Sequence, residues 1–366
     1  MGNMVATVQS SFLPYIENSG ISVFDENNPF PSTRYQGSKN KLTCWIWDNI
    51  KDLDFETALD AFGGTGSVSH LLKRKGKQVF YNDILEFNYI IGKALIENDS
   101  TKLSDEDIDL LLSENKNKQN FIQKTFKGIY YTDEENAWLD NIICNINCLN
   151  DEYKKAIAFF ALFQSCIIKR PYNLFHRANL YIRLADVKRS FGNKITWDKS
   201  FENYFRHFVK EANNAIFYNG SKCRSYNRDA LDLDINDIDL VYLDTPYISN
   251  KGVGTNYLDF YHFLEGLADY ENWENKICDK YKHIPIKSDK KCSWTDKNQI
   301  TSEFEKVIKK FLNSKIVISY RNDGIPSVQE LCDIVNNYKN KVSVIYSRDY
   351  KYALSNDVKE VLIIGY

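Results

Sequence analysis

The sequence predicts an α/β fold built on one open, mostly parallel sheet, with a helical and hairpin module inserted part-way along the chain. Three observations predict it. The run FETALDAFGGTGSVSHLLKRKGKQVFYND, from Phe55 to Asp83, alternates as strand, glycine turn, helix and strand, and such a β-α-β unit joins parallel neighbours. The runs CRSYNRDALDL and DIDLVYLDTPY resume the sheet pattern after a long interruption. Three further apolar runs, KIVISYRNDGIP, KVSVIYSRD and EVLIIGY, close the chain as strands.

In chain order, residues 1–33 have no period, and Pro29 and Pro31 close them, which predicts an arm. In RYQGSKNKLTCWIWDNI, Gly37 makes a turn and Leu42, Trp45, Ile46 and Ile50 recur at helical spacing. The first strand ends at Asp60, the turn is Gly63-Gly64-Thr65-Gly66, and Gly76 ends the helix carrying Leu71 and Leu72. The second strand ends at Asp83. From about residue 100 the pattern turns helical: acidic and leucine-rich at 104–114, then mostly buried in DEYKKAIAFFALFQSCII. DVKRSFGNKITW predicts a hairpin around Gly192-Asn193. An excursion at 250–298 contains LDFYHFLEGL and is expected to be a surface helix, with a cover over the pocket once DNA binds as the alternative. The expected organisation is an arm at 1–33, a sheet domain in two parts at 34–99 and 221–366, and an insert at 100–220.

Composition narrows the function classes. With 43% apolar and 26% charged residues the chain is globular, and no window is apolar for the length of a membrane span. The N-terminus lacks a basic-then-apolar signal, and MGNMVA has Ala6 where a myristoylation pattern needs Ser or Thr, so a cytoplasmic protein without membrane contact is expected. Eight scattered cysteines and five dispersed histidines form no zinc spacing, so no metal is expected. The net charge of −2 is unremarkable, but its distribution is uneven. Between Lys169 and Arg228 thirteen Lys/Arg face four acids, a local +9 against −11 elsewhere, and twelve aromatics are interleaved with them. That pattern suits a polyanion carrying stackable bases.

Ligands of open parallel sheets sit beyond the carboxyl ends of the strands, where Asp60, Asp83, Asp229 and Asp244 would all lie. The glycine turn lets backbone approach a ligand and opens a helix N-terminus towards it. Asp83, at the second strand tip, suits ribose hydroxyls. Most telling is DTPY, Asp244 to Tyr247, where a buried strand ends on a carboxylate and a proline.

Taken together and in this order, RYQGSK, DAFGGTGS, YND, DTPY, ISYRNDG and YKYALSNDVKEVLIIGY resemble the motifs of the D12, or Dam-like, class of N6-adenine DNA methyltransferases over about 34–92 and 222–366. The resemblance implies a Rossmann-like class I methyltransferase sheet, mostly parallel with an antiparallel C-terminal strand, and S-adenosylmethionine as cofactor. It places Tyr35 and Lys39 at the methionine end, with Gly37 letting the loop fold back over it and Ser38 also in the cofactor site. Asp60, Phe62, Gly63, Gly64 and Gly66 would form the cofactor wall, Asp83 would bind the ribose and Asp229 the adenine ring. Asp244 and the carbonyl of Thr245 would accept the target amine's hydrogens, Pro246 would stiffen the loop, and Tyr247 would stack on a flipped adenine. Thr245 departs from the family's usual proline; a carbonyl serves from either residue, so activity is expected to survive. The insert takes the place of target recognition, with Arg170, Arg177, Lys188, Arg189, Lys194 and Arg206 as candidate contacts to duplex DNA. A monomer or weak dimer, acting alone or paired with a restriction endonuclease, is expected. Methylation of RNA or of cytosine N4, and a non-catalytic protein binding cofactor and DNA, remain open beside this.

Overall fold

The computed structural model describes residues 28–187, 194–287, 292–347 and 358–366. Seven strands form one sheet: β1 (Thr57–Asp60), β2 (Gln78–Asn82), β3 (Arg224–Tyr226), β4 (Leu240–Leu243), β5 (Lys315–Arg321), β6 (Val342–Tyr346) and β7 (Glu360–Gly365). Their order is β3-β2-β1-β4-β5-β7-β6. The first five pair parallel, and β7 runs antiparallel between β5 and β6. All seven fall within the runs read as strands in the sequence, although β3 (Arg224-Ser225-Tyr226) is polar and lies at the sheet edge. The central strands are apolar throughout because they are buried on both faces. Ala58, Leu240, Tyr242, Val317 and Leu362 point into one core, and Leu59, Val241, Leu243, Ile316 and Ile363 into the other.

Fourteen α-helices are described: α1 (Thr43–Ile50), α2 (Ser67–Arg74), α3 (Glu86–Gly92), α4 (Asp105–Leu112), α5 (Phe121–Thr125), α6 (Asp133–Asn147), α7 (Glu152–Ile168), α8 (Leu180–Leu184), α9 (Lys194–Asp198), α10 (Phe201–Ala215), α11 (Tyr257–Ala268), α12 (Trp273–Lys276), α13 (Ile300–Lys310) and α14 (Val328–Asn336). Helices α1, α2, α3, α7, α10 and α11 fill the first core; α13 and α14 fill the second. Capping boxes start α4 (Ser104 with Asp107) and α6 (Thr132 with Glu135). As its apolar run predicts, α7 is buried from Ala156 to Ile168, and it packs on both α3 and α10, so the first core runs from the sheet through the insert without a break.

Two expectations are corrected. The helix of this excursion, α11, is no surface helix: its Tyr261, Phe263, Leu264 and Leu267 lie in the first core, and Gly266 lets Trp273 pack so closely that a Cβ would come within 1.9 Å of its ring. The second arm of the expected hairpin is the helical turn α9, where Lys194 pairs with Asp198 one turn on and Trp197 is buried. Residues 188–193, with Lys188, Arg189 and the Gly192-Asn193 tip, lie outside the described residues.

Candidate active site

A cavity of about 1200 Å³ opens where β1, β2 and β4 end. It is lined by Asp60, Asp83 and Asp244 from the three strand ends, by the turn Phe62-Gly63-Gly64, by Tyr35, Gly37, Ser38 and Lys39, and by Asp229. The parallel pairing of these strands brings their tips to one edge, which is why residues so distant in sequence meet.

Steric need fixes the glycine turn. A Cβ on Gly63 would lie 2.0 Å from the ring of Tyr81, and Gly64 and Gly66 have φ of +51° and +76°. The Tyr81 hydroxyl holds the turn in place, 2.7 Å from Gly64 O and 2.9 Å from Asn88 O. Gly66 is the N-cap of α2 and stands behind the cavity wall. Gly37 has φ +84°, and a Cβ there would meet the Tyr257 hydroxyl at 2.5 Å. Tyr35 stacks nearly parallel on Tyr261 and Tyr257, with centroids 4.5 and 5.4 Å away, tying the N-terminal loop to α11.

The carboxylates have different surroundings. Asp83 accepts the N–H of Gly64 and of Leu85, each at 2.9 Å; burial pushes it up to about 6 against those two bonds. Asp60 accepts from Ser69 Oγ at 2.6 Å through Oδ2, while its buried Oδ1 makes no hydrogen bond with the described residues. Burial pushes Asp60 up to about 7, with Ser69 opposing and Asp244 and Asp83 adding. Asn82 bonds the Ala61 and Arg228 carbonyls at 3.0 Å each and so positions the turn that carries Asp229.

At the tip of β4, Oδ1 of Asp244 receives Lys39 Nζ at 2.8 Å and the Tyr247 hydroxyl at 3.0 Å. No hydrogen bond from the described residues reaches its Oδ2, and none reaches the carbonyl of Thr245. Burial pushes Asp244 up to about 6; Lys39 opposes this and Glu360 adds to it. Lys39, expected at the methionine end, is thus an ion-pair partner of the carboxylate, 5% exposed. Tyr247, expected to stack on a base, is 7% exposed, packs edge-on against Tyr320, and does not line the cavity; Pro246 does. Its hydroxyl reaches Glu360 Oε1 at 2.9 Å. Thr245 is buried, with its hydroxyl unbonded.

The expected DNA contacts separate. Arg170 is a correction: it is 1% exposed, stacked over Tyr130 and Phe175, and bonded to the carbonyls of Tyr130, Leu174 and Arg177. Its cation serves a loop core. Arg206 is spent on Asp109 at 2.8 Å and Glu202 at 3.1 Å. Arg177 is exposed, and Lys194 is exposed with Asp198 at 3.2 Å.

Four residues the sequence reasoning missed shape the cavity. They are Tyr81, Tyr257, Glu360 and Glu265, whose buried carboxylate caps the N–H groups of Glu86 and Phe87 and is pushed up to about 7 by that burial. Glu360 left one signal in the sequence, an acid opening the apolar run EVLIIGY.

The model of the D12 class N6 adenine-specific DNA methyltransferases matches residues 35–334, which takes in the glycine turn, both strand-tip acids and DTPY. The chain belongs to that family. It is 34% identical over 327 residues to the Type II methyltransferase M2.HphI of Haemophilus parahaemolyticus, covering 87% of this chain and 92% of the relative. Type II methyltransferase M.CviAII of Paramecium bursaria Chlorella virus 1 is 25% identical, with 91% and 98% covered. Type II methyltransferase M.FokI of Planomicrobium okeanokoites is 27% identical over 83% of this chain, which spans 47% of that relative's length. This D12-class protein is therefore a DNA methyltransferase, and its sheet is the mostly parallel, Rossmann-like sheet of such enzymes with β7 reversed. Among the described residues no helix is long and apolar enough to cross a membrane.

Proposed function

We propose that this enzyme transfers the methyl group of S-adenosylmethionine to the N6 amine of an adenine swung out of duplex DNA, at one recognition sequence, as the modification half of a restriction–modification pair. The observation that carries this is a pair of acceptors at the tip of β4 that no described residue bonds, Asp244 Oδ2 and the Thr245 carbonyl. The lone pair of an aromatic amine is delocalised into its ring. Two acceptors on its two N–H groups favour a pyramidal nitrogen whose lone pair is free to attack, so the chemistry needs positioning and charge complementarity more than a strong base. A strand-tip pocket reaches an adenine once the base has left the stack.

The cavity fits the cofactor. S-adenosylmethionine is cationic at its ammonium and at the sulfonium that makes its methyl electrophilic, and Asp60, Asp83, Asp229 and Asp244 are among the carboxylates lining this cavity, the first with a buried Oδ1 that no described residue bonds. Asp60 Oδ1 would accept the ammonium, Asp83 the ribose hydroxyls and Asp229 the adenine ring; the glycine turn admits the backbone closely. Lys39 holds Asp244 in place. Arg177 and Lys194 are the exposed cations proposed to meet phosphates.

The test follows labelled methyl from S-adenosylmethionine into long duplex DNA, wild type beside Asp244→Ala, with nucleosides separated after digestion. Label in N6-methyladenine that disappears with alanine is expected. Label in N4-methylcytosine or only in RNA would overturn the substrate.

A further inference from the structure

Glu360 opens β7, a strand otherwise apolar, and is 1% exposed. Burying a carboxylate is costly unless partners compensate. Three side chains converge on its Oε1: Ser319 Oγ at 2.5 Å, the Tyr247 hydroxyl at 2.9 Å and Lys39 Nζ at 3.5 Å. Two of the three, Lys39 and Tyr247, are also the donors that reach Asp244 Oδ1. We propose that Glu360 is a positioning residue for methyl transfer: from behind the site it anchors Tyr247 and Lys39, which turn Asp244 so that Oδ1 faces inward and Oδ2 faces the target amine. This rests on the amino-methylation proposed above.

An unrestrained carboxylate turns about its last bond and offers either oxygen, because that torsion is broad. Two donors on Oδ1 remove this freedom, and both are themselves held by Glu360. A shared network adds a second constraint: Lys39 Nζ also donates to the Tyr247 hydroxyl at 2.5 Å, and that hydroxyl lies within 3.0 Å of both Asp244 Oδ1 and Glu360 Oε1. Among the described residues, the charged and titratable groups facing Asp244 are Lys39 from the loop before α1, Tyr247 from its own loop, Glu360 from β7, Tyr242 from β4 and Asp60 from β1. Of these, Glu360 and Asp60 carry the acidic charge. Glu360 lies across the Tyr247 hydroxyl, and its charge raises Asp244 and keeps it a good acceptor for N–H. With Glu360 neutral, Lys39 acts more fully on Asp244 and makes it a poorer acceptor.

The experiment uses the full chain as wild type, Glu360→Gln, Ser319→Ala, Tyr247→Phe and the double variant Glu360→Gln/Tyr247→Phe. Glutamine keeps size and hydrogen bonding and removes charge. Two readouts are taken: the titration of Asp244 followed by carbon NMR of labelled aspartate without DNA or cofactor, and the pH profile of kcat on duplex DNA beside the Kd of S-adenosylmethionine. Glu360→Gln is expected to lower the Asp244 titration by about one pH unit. It should also cut kcat roughly 10- to 100-fold, as a misplaced reacting group does, with cofactor affinity unchanged. Ser319→Ala should move both in the same direction by less, and the double variant should be no worse than the worse single one. A fall in melting temperature with the Asp244 titration and the pH profile unmoved would reduce Glu360 to a structural residue and overturn the proposal. If the titration moves while wild type forms no N6-methyladenine, the positioning of Asp244 stands and the proposed substrate falls.

Discussion

Nζ of Lys39 stands 2.8 Å from Oδ1 of Asp244 and 3.5 Å from Oε1 of Glu360, so one buried ammonium serves two carboxylates from two different strands of the sheet. Lys39→Met is the direct probe of that sharing. It takes the Lys39 ammonium away from Asp244 and from the buried Glu360 and removes one of the two donors on Asp244 Oδ1. Methyl transfer should fall by about 10²–10³-fold, the usual cost of one preorganised donor. The sign of the pH effect follows from the cause. Lys39 holds Asp244 below where burial alone would put it, so its removal moves the acid limb of the kcat profile to higher pH. A limb that stays in place would separate Lys39 from the titration of Asp244.

Thr245 offers a cleaner test of what its position contributes. The residue is buried with an unbonded hydroxyl, and its carbonyl is the group with a proposed task. Thr245→Val keeps the shape and removes the buried unsatisfied oxygen. Stability should rise by ~1 kcal/mol, with kcat unchanged. A large fall in kcat would give the hydroxyl itself a part in the reaction.

Much of this was legible in the sequence, for identifiable reasons. The strands of the sheet stand out because burial on both faces leaves no room for polar interruptions, as in Leu240–Leu243. Asp60, Asp83 and Asp244 stand out because each ends such a run. What stayed hidden depends on contacts between distant segments. Nothing local in LDFYHFLEGL says that Tyr261 stacks on Tyr35, and nothing in KIVISY says that Ser319 bonds Glu360. Arg170 misled for a related reason: a cation's sequence neighbourhood does not reveal whether carbonyls enclose it.

Asp60 ties function to stability through pH. Its carboxyl is pushed up to about 7 from an ordinary 3.8, so the folded state binds the proton more tightly than the unfolded chain does. The stabilisation from that proton is complete below the unfolded value and is lost as pH rises through about 7. Asp60→Asn removes the charge and keeps an acceptor for Ser69. The variant should melt higher than wild type at pH 8 and lose that advantage towards pH 4, while binding S-adenosylmethionine more weakly at both. Melting curves and calorimetry across this range check it. Equal melting at pH 8 would mean that the charged carboxylate is compensated in the folded protein.

Two arginines near each other in sequence should behave in opposite ways. Arg170 is enclosed by carbonyls and aromatic rings, and its Nη2 also bonds Asn179, whereas Arg177 is exposed. Removing a buried cation leaves its acceptors unsatisfied, at about 1–3 kcal/mol for each group stranded. Arg170→Met should therefore lower the melting temperature steeply, and at temperatures where the variant stays folded it should leave the salt dependence of DNA binding unchanged. Arg177→Met should leave melting unchanged. If Arg177 meets a phosphate, DNA affinity falls for every sequence alike, and the slope of log K against log salt shrinks by about one. Binding measured at several salt concentrations separates the two, and a salt slope that shrinks for Arg170→Met but not for Arg177→Met would reverse the assignment of the two arginines.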